Sequence, residues 1–401
     1  MSDTVKSSTE SPPHYARITQ EALDRSRART GKVVPITQPF LTYVNADSIS
    51  HVARGLGDDN GLWFDADDRA SKIYGSPIAP PAWLYGAAWS SWDLRRGEGL
   101  PGIHAIHAGD TWQYFQPVLS GDSIHATKEQ VSVTELQGRY AGRTIKQQRL
   151  LRFFNQNEAL VATQLMSVIR PERDAAKQNG KYASLERARY TAEQIADIDR
   201  EVDDQTPRGI GELWWDDVRE GYAIPTLTKG PLGVHDFMAW MMGVGTPHVR
   251  SGRFWLEYRT QSPSIAVPDP RSGVPASVER VHWDDFMAAE IGMPAPYDYG
   301  PQRGGFASQL MTNWIGDLGF LETLDVEYRH MVFVDDLLRY GGVVERTWRD
   351  ESGIGVVTCS VFAESQRGVK VLTGKARVVL PIKGQGGITF PLSLADNANG
   401  T

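Results

Sequence analysis

The pattern of hydrophobic and polar positions divides the chain into two halves that carry the same order of elements. In the first half, Pro80 and Pro81 open an apolar run whose length suits a helix with proline in its first turn. In the second half, Pro301 opens a similar run. Behind each run, apolar and polar residues alternate over segments typical of long antiparallel strands, at 111–118, 122–136, 139–154 and 158–169, and again at 324–334, 337–348, 354–364 and 369–380. Each half is therefore predicted to contain one long helix followed by four antiparallel strands.

Residue numbers at matching positions differ by nearly constant offsets, which indicates that the halves are diverged copies. The offset is 219 for Trp63 and His282, Asp65 and Asp284, Pro77 and Pro296, and Pro81 and Gly300. The offset is 214 for Val118 and Val332, Asp122 and Asp336, and Ile124 and Leu338. A preserved order with one small shift is typical of a duplication. Each sheet needs its helix to cover its apolar face, and pairing the two sheets edge to edge would satisfy two exposed edges.

Changes in composition set the expected domain boundaries. Residues 1–32 are mostly polar and are predicted to be a disordered lead-in, and residues 33–172 form the first copy. Residues 173–211 are charged and read as a linker with one surface helix at 190–202, which opens with Thr191. Residues 212–383 form the second copy, and 384–401 form a tail.

Composition and charge exclude several classes of protein. The chain has 401 residues, of which 41% are hydrophobic, and its formal net charge is −7, which argues against a protein that coats nucleic acid. The single cysteine, Cys359, forms no intramolecular disulfide, which favours a reducing compartment. The N-terminal stretch lacks the apolar core of a signal peptide, and the chain carries no apolar run of the roughly 18 residues that a membrane span needs. We therefore expect a cytoplasmic protein without a nucleic-acid or membrane partner.

Two motifs connect these halves with a known family. The first half reads Gly-Asp-Asp-Asn-Gly-Leu-Trp-Phe-Asp at 57–65 and Gly-Ser-Pro-Ile-Ala-Pro-Pro at 75–81. The second half reads Val-His-Trp-Asp-Asp-Phe-Met-Ala at 281–288 and Gly-Met-Pro-Ala-Pro-Tyr-Asp-Tyr-Gly at 292–300. At these residues the chain resembles the MaoC-like dehydratase superfamily, and most of all acyl dehydratases whose first half is a FAS1-type dehydratase domain. The resemblance covers about residues 33–172 and 212–383.

The resemblance implies a fold and an activity. The fold is an α+β double hotdog, in which two antiparallel sheets each wrap around a long helix. The activity is that of a hydro-lyase, an enoyl-CoA hydratase or 3-hydroxyacyl-CoA dehydratase of fatty-acid or steroid and other lipid metabolism. The resemblance implies no metal or redox cofactor, because coenzyme A enters as part of the acyl-CoA substrate. It is compatible with a homodimer, or with a hetero-oligomer that includes another MaoC-like chain.

In this family the active pair is the aspartate after the glycine and a histidine five residues later, and a glycine at the start of the hotdog helix gives its N–H to the thioester. The first half keeps Asp58 but has Trp63 at the histidine position and Pro81, which has no N–H, at the glycine position. The second half keeps His282 and Gly300, but Ser277 stands five residues before His282. The segment 245–277 is interpreted as an insertion at the place of the aspartate. The second half is therefore predicted to be catalytic, and the first half to shape the acyl pocket.

Candidate site residues follow from these positions. His282 is the predicted acid or base. Asp284 and Glu279 are the nearby carboxylates, although Asp284 suits a helix N-cap and Glu279 a solvated loop. Gly300 is the predicted oxyanion donor. The predicted substrate-binding residues, at the thioester or phosphate end of the pocket, are Tyr299, Gln302 and Arg303.

Other features receive simpler interpretations. His104 and His107 have a metal-compatible spacing on a predicted helix, but no third ligand is evident, so no metal site is predicted. Asp58 and Asp59 are adjacent and should face apart. Tryptophans such as Trp83, Trp89 and Trp92 are expected in the core. Two alternative functions stay open: a non-catalytic acyl-CoA-binding subunit of a partner hydratase, and a related thioester lyase.

Overall fold

The computed structural model describes residues 17–88, 100, 102–136, 143–172, 182, 185–246 and 248–392. Its helices are α1 (Gln20–Arg27), α2 (Ala46–Leu56), α3 (Arg69–Tyr74), α4 (Trp83–Ala88), α5 (Ala192–Asp203), α6 (Val234–Val244), α7 (Gly252–Gln261), α8 (Asp285–Glu290) and α9 (Gly300–Ile315). Its strands are β1 (Val33–Pro35), β2 (Ile106–Tyr114), β3 (His125–Leu136), β4 (Thr144–Phe154), β5 (Leu160–Pro171), β6 (Ala223–Lys229), β7 (Ala266–Pro268), β8 (Pro275–Ser277), β9 (Phe320–Tyr328), β10 (Leu338–Arg349), β11 (Gly355–Ser365) and β12 (Lys370–Leu380).

One antiparallel sheet runs through both halves, as the edge-to-edge arrangement predicts. Its strand order is β1-β3-β4-β5-β2-β9-β12-β11-β10-β6, so β2 and β9 join the two copies. In this joint Thr111 pairs with Asp325, and the Thr111 hydroxyl donates to the Asp325 carboxylate at 2.8 Å. These two residues lie 214 positions apart, so each copy contributes the same position to the joint. The four predicted strands of each half are confirmed, although the first of them begins earlier than predicted in both copies.

Two strands at the outer edges of the sheet were not predicted. Strand β1 pairs with β3, and β6 pairs with β10. Strand β1 has only three residues, and β6 contains Pro225, which weakens a strand pattern. Both strands lie at an edge of the sheet. There, the N–H that proline lacks does not deprive a neighbouring strand of a hydrogen bond.

Helix α9 is the buried centre of the second half. Pro301 lies in its first turn, and nearly every residue of the helix is buried because the sheet wraps around it. Phe306, Leu310 and Met311 belong to the main hydrophobic core. Glycine is favoured at 304, because a Cβ there would lie 2.6 Å from the Tyr328 hydroxyl and 2.7 Å from that of Tyr85, which would have to move.

Equivalent contacts in the two copies support the duplication. Ile78 forms a bridge with Leu119, and Tyr297 forms the matching bridge with Phe333. The Asp122 carboxylate accepts from the Leu119 N–H at 2.8 Å, and the Asp336 carboxylate accepts from the Phe333 N–H at 3.0 Å. The partners lie 219 or 214 positions apart, as the sequence offsets require.

Some local predictions need correction. Residues 20–27 of the predicted disordered lead-in form α1, because Thr19 caps the helix and Leu23 is buried in a small core that includes Ile145. His104 and His107 do not lie on a helix: His104 is in a loop and His107 is in β2. The linker helix is confirmed as α5, with Thr191 and Gln194 forming a capping box.

Other predictions fall partly outside the described residues. Trp83 is buried in the core as predicted, whereas Trp89, Trp92 and the rest of the first-half helix run lie outside. Parts of the predicted lead-in, linker and tail also lie outside. Within the described ranges, no helix combines the length and the apolar character needed to cross a bilayer.

Candidate active site

His282 ends a 3₁₀ turn (Val278–His282) and lies against the segment that leads into α9. Its Nδ1 is 2.6 Å from the Tyr297 carbonyl oxygen. Because a carbonyl only accepts, the hydrogen-bond network assigns the proton to Nδ1 and leaves the lone pair on Nε2. Burial lowers the pKa of His282 to about 4, although the bond to Tyr297 opposes this. The imidazole is therefore neutral at pH 7, with Nε2 able to accept a proton.

Tyr299 connects His282 with a buried carboxylate. Its ring stacks on the His282 ring with centroids 3.9 Å apart. Its hydroxyl donates to Glu279 Oε2 at 3.1 Å. Tyr299 thus lies in the site, but as a contact between two other side chains.

Glu279 is buried, which corrects the expectation of a solvated loop glutamate. It is only 6% exposed, and Thr246 and His248 of the predicted insertion contact its carboxylate. Its carboxylate accepts from the His248 backbone N–H at 3.2 Å and from the Thr246 hydroxyl. Burial raises the pKa of Glu279 to about 7, although the bonds from Thr246, Tyr299 and His248 lower it. The side chain can therefore hold or release a proton near neutral pH.

Gly300 is the first residue of α9, where a backbone N–H has no acceptor within the helix. A Cβ at this position would lie 3.0 Å from His107 Cβ and 3.3 Å from the His107 carbonyl oxygen. The start of α9 therefore abuts β2 of the first half. The position suits a donor to a developing oxyanion, because the positive end of the helix dipole adds to the N–H.

Asp284 is an N-cap, as its position predicts. Its Oδ1 accepts from the Met287 N–H at 2.9 Å at the start of α8. Its Oδ2 lies 2.8 Å from Arg280 and 3.2 Å from Arg271. Both oxygens are engaged in structural contacts, so Asp284 is not placed to hold a reacting water.

Gln302 and Arg303 lie in the interior of the second half. The Gln302 amide donates to the Asp236 carbonyl at 3.0 Å. Arg303 forms an ion pair with Asp298 at 2.7 Å and donates to the His330 carbonyl at 2.7 Å. These contacts hold the first turns of α9 in place and engage Arg303 with a buried carboxylate, so it is not positioned to meet a phosphate.

At the equivalent position of the first half, a tryptophan forms a hydrogen bond with a buried aspartate. The Trp63 indole N–H donates to Asp58 Oδ2 at 2.7 Å, so the indole lies where a histidine would. Burial raises the pKa of Asp58 to about 6, against the attraction of Lys229 and the hydrogen bonds from Asn60 and Trp63. Asp59 is exposed, so the adjacent aspartates face apart as predicted.

An apolar cavity lies beside Trp63 and Pro81. It encloses about 550 Å³ of empty space, open solvent included. Its lining comes from both halves and includes Leu62, Ile78, Leu84, Tyr114, Ile315 and Phe320. The cavity therefore belongs to the first-half site, near the end of α9 that is opposite to Gly300.

Sequence reasoning missed a buried polar cluster under the start of α9. Asp110 Oδ1 lies 2.8 Å from His107 Nε2, and Asp110 Oδ2 accepts from the hydroxyls of Tyr85 and Tyr328, each at 2.8 Å. Burial alone would raise the pKa of Asp110, but the charge of His107 and these hydrogen bonds hold it below its usual value. Tyr85, the neighbouring pair His107 and Asp110, and Tyr328 come from three distant parts of the chain, so no local motif identifies the cluster. Thr246 and His248 were missed for the same reason.

Comparisons with known proteins agree with this architecture. Residues 33–164 match the family model described as the FAS1-like, dehydratase domain region. No curated protein matches the chain in sequence. Among solved structures, a MaoC-like dehydratase is similar at 17% identity with a TM-score of 0.61, over 89% of this chain and 99% of that one.

Two further structures show the same similarity. A putative MaoC domain dehydratase from Chloroflexus aurantiacus is 13% identical, with a TM-score of 0.57, over 89% of this chain and 96% of that one. A conserved hypothetical protein from Mycobacterium tuberculosis, described as a double hotdog fold, is 11% identical, with a TM-score of 0.54, over 87% of this chain and 96% of that one. At these identities the similarity establishes the fold. The predicted resemblance is thus confirmed: the chain contains a FAS1-like dehydratase region at residues 33–164 and has the double hotdog fold of MaoC-like dehydratases.

Proposed function

We propose that the chain adds water to an enoyl-CoA thioester, or removes it from a 3-hydroxyacyl-CoA, and that the second half performs the chemistry. The observation that carries this proposal is the contrast between the copies. His282 has an Nε2 that carries no proton and lies beside the segment leading to Gly300, whereas Trp63 and Pro81 occupy the corresponding positions of the first half. Only the second half thus retains a base together with a helix-start N–H.

The chemistry assigns a task to each of these groups. Addition of water to C3 needs a base to take a proton from the water, and His282 Nε2 can accept it. Negative charge develops on the thioester oxygen, which the Gly300 N–H and the α9 dipole would stabilise. The first half would shape the acyl pocket, and coenzyme A would enter only as part of the substrate. The buried Cys359 thiol suits a reducing compartment such as the cytoplasm.

The test is hydration of a series of enoyl-CoA thioesters by the full chain, followed by the loss of ultraviolet absorbance of the conjugated thioester. His282→Ala should lower kcat/KM by about 100-fold or more, which is the usual contribution of a positioned acid or base. His235→Ala is the matched control, because His235 is exposed on α6. Undiminished turnover by His282→Ala would contradict the assignment.

A second candidate is a non-catalytic acyl-CoA-binding subunit that completes a partner hydratase. The observation in its favour is that Ser277, and not an aspartate, stands five residues before His282. Activity that arises only after mixing with another MaoC-like protein would favour this candidate. Sedimentation of the purified chain would separate a homodimer from a chain that needs a different partner.

A further inference from the structure

We propose that Glu279 is the carboxylate partner of His282, and that the insertion places it where the other copy has Asp58. This inference rests on the proposed function and adds the second proton-transfer group that the reaction needs.

Helices α2 and α6 pack against each other as equivalent elements of the two copies. A Cβ at Gly55 would lie 2.7 Å from the Ala239 carbonyl oxygen, and a Cβ at Gly243 would lie 2.9 Å from the His51 carbonyl oxygen. Ala239 and Gly243 each lie 188 positions after His51 and Gly55. Reciprocal contacts of this kind are the signature of a two-fold relation between copies. The offset between the helices is therefore 188.

The same offset identifies the position that corresponds to Asp58. Helix α2 is capped by Gly57 with φ 59°, and α6 is capped by Gly245 with φ 77°. Both φ values lie in the region that favours glycine. The next residue is Asp58 in the first copy and Thr246 in the second. Since Trp63 and His282 differ by 219, the second copy has 31 additional residues between these two positions.

Glu279 follows the insertion in the chain, and in space its carboxylate lies at this position. It accepts from the Thr246 hydroxyl, so it lies against the residue that replaces the aspartate. The end of the insertion is fixed by the Ser277 hydroxyl, which donates to the His248 carbonyl at 2.9 Å and accepts from the Glu279 N–H at 3.2 Å. The Tyr299 ring lies between this carboxylate and the His282 imidazole.

Glu279 is also distinguished by its partners. The carboxylates of Asp284, Asp298 and Asp110 are paired with arginine or histidine. The hydrogen-bond donors to Glu279 among the described residues are neutral: two hydroxyls and one backbone N–H. From the insertion, the Tyr258 hydroxyl interacts electrostatically with Glu279, His248 Nδ1 contacts that hydroxyl, and the Arg250 guanidinium lies 3.8 Å from the centroid of the Tyr258 ring. A carboxyl without a cationic partner can hold a proton that a reaction uses.

The two groups together balance the reaction. In hydration, His282 Nε2 takes a proton from water, the hydroxide oxygen bonds to C3, and the π electrons of the C2–C3 bond move toward C2 and the thioester oxygen. The protonated Glu279 then gives its proton to C2, so the enolate becomes the 3-hydroxyacyl thioester. The proton on His282 returns to the Glu279 carboxylate through solvent, because the Tyr299 ring lies between the two groups, and this restores the starting state. Dehydration follows the same steps in reverse.

The test moves the carboxylate back to the position that it has in the first copy. Glu279→Gln keeps the shape of the side chain and should lower kcat/KM for hydration by about 100-fold or more. In the wild type, the hydration rate should decline near pH 7, where Glu279 loses its proton. The pH profile of the variant's residual activity should lack this decline. The double variant Thr246→Asp with Glu279→Gln should recover at least tenfold of the loss. Glu257→Gln is the control, because Glu257 lies in the same insertion, is half exposed and pairs with Arg253 at 2.8 Å.

The outcomes separate this inference from the proposed function. If wild type is active, His282→Ala is inactive and Glu279→Gln matches wild type, the role of Glu279 is refuted and the proposed function stands. A folded double variant with no recovery, as judged by its far-ultraviolet circular dichroism, would also refute the equivalence with Asp58. A wild-type chain that turns over no thioester overturns the proposed function, and this inference with it.

Discussion

Trp63→Phe should destabilise the protein in a pH-dependent way, because it removes the donor to the buried Asp58 carboxylate. The Trp63 N–H lies 2.7 Å from Asp58 Oδ2, and Asp58 is only 3% exposed. Phenylalanine retains an aromatic ring but has no N–H. The substitution therefore separates the hydrogen bond from most of the packing.

The magnitude follows from the pKa of Asp58. Burial, only partly offset by Lys229 and by hydrogen bonds, raises this pKa from 3.8 to about 6. In the wild type the raised pKa therefore lowers the free energy of unfolding by about 3 kcal/mol above pH 6. At pH values below the pKa of the unfolded chain, it has no effect on this free energy. A hydrogen bond to a charged group contributes about 1.5–3 kcal/mol, so its loss should raise the folded pKa of Asp58 further. The additional destabilisation should develop as pH rises through 6, whereas the loss of ring volume acts equally at every pH.

Urea unfolding followed by circular dichroism at pH 5 and pH 8.5 measures this difference. We expect the destabilisation to be larger at pH 8.5 than at pH 5 by about 1–2 kcal/mol. Trp214→Phe is the matched control: its indole donates to Glu212 at 3.0 Å in an exposed position, so it should change stability by less than about 0.5 kcal/mol. Equal destabilisation by Trp63→Phe at both pH values would refute the view that the indole stabilises a buried carboxylate.

Three further results are expected. Gly304→Ala should lower the free energy of unfolding by about 1–3 kcal/mol in urea titrations, because its Cβ would lie 2.6 Å from the Tyr328 hydroxyl; an unchanged midpoint would contradict the close approach. Tyr299→Phe removes a donor to Glu279, so it should raise the pKa of that carboxyl and move the alkaline limb of the hydration rate, near pH 7 in the wild type, to higher pH. Burial lowers the pKa of His282 to about 4, so its ¹⁵N NMR titration should show a neutral ring at pH 5.5; a midpoint near 6.5 would contradict the buried position.

The fold could be predicted because its signals are local. Alternation of polar and apolar residues marks the strands β2–β5 and β9–β12, and the offsets of 219 and 214 expose the duplication. The edge strands β1 and β6 could not be predicted, because β1 is too short and β6 contains a proline. Helix α1 could not be predicted, because its sequence is mostly polar and contains only a few apolar residues.

The site could be predicted only as far as the motif extends. His282 and Gly300 follow from their positions, and Asp284 from the N-cap pattern. Burial of Glu279 depends on the path of the insertion, and its equivalence with Asp58 depends on the contacts between α2 and α6, neither of which leaves a local pattern. Arg303 illustrates the opposite case, since a basic residue near a helix start suggests a phosphate ligand until its buried partner, Asp298, is located.

The central claim is that the second half alone binds the thioester for chemistry. A crystal structure with a non-reactive enoyl-CoA analogue tests it most directly. We expect the thioester oxygen within hydrogen-bond distance of the Gly300 N–H, with C3 facing His282 Nε2. A thioester bound beside Trp63 and Pro81, with the second-half site unoccupied, would contradict the account.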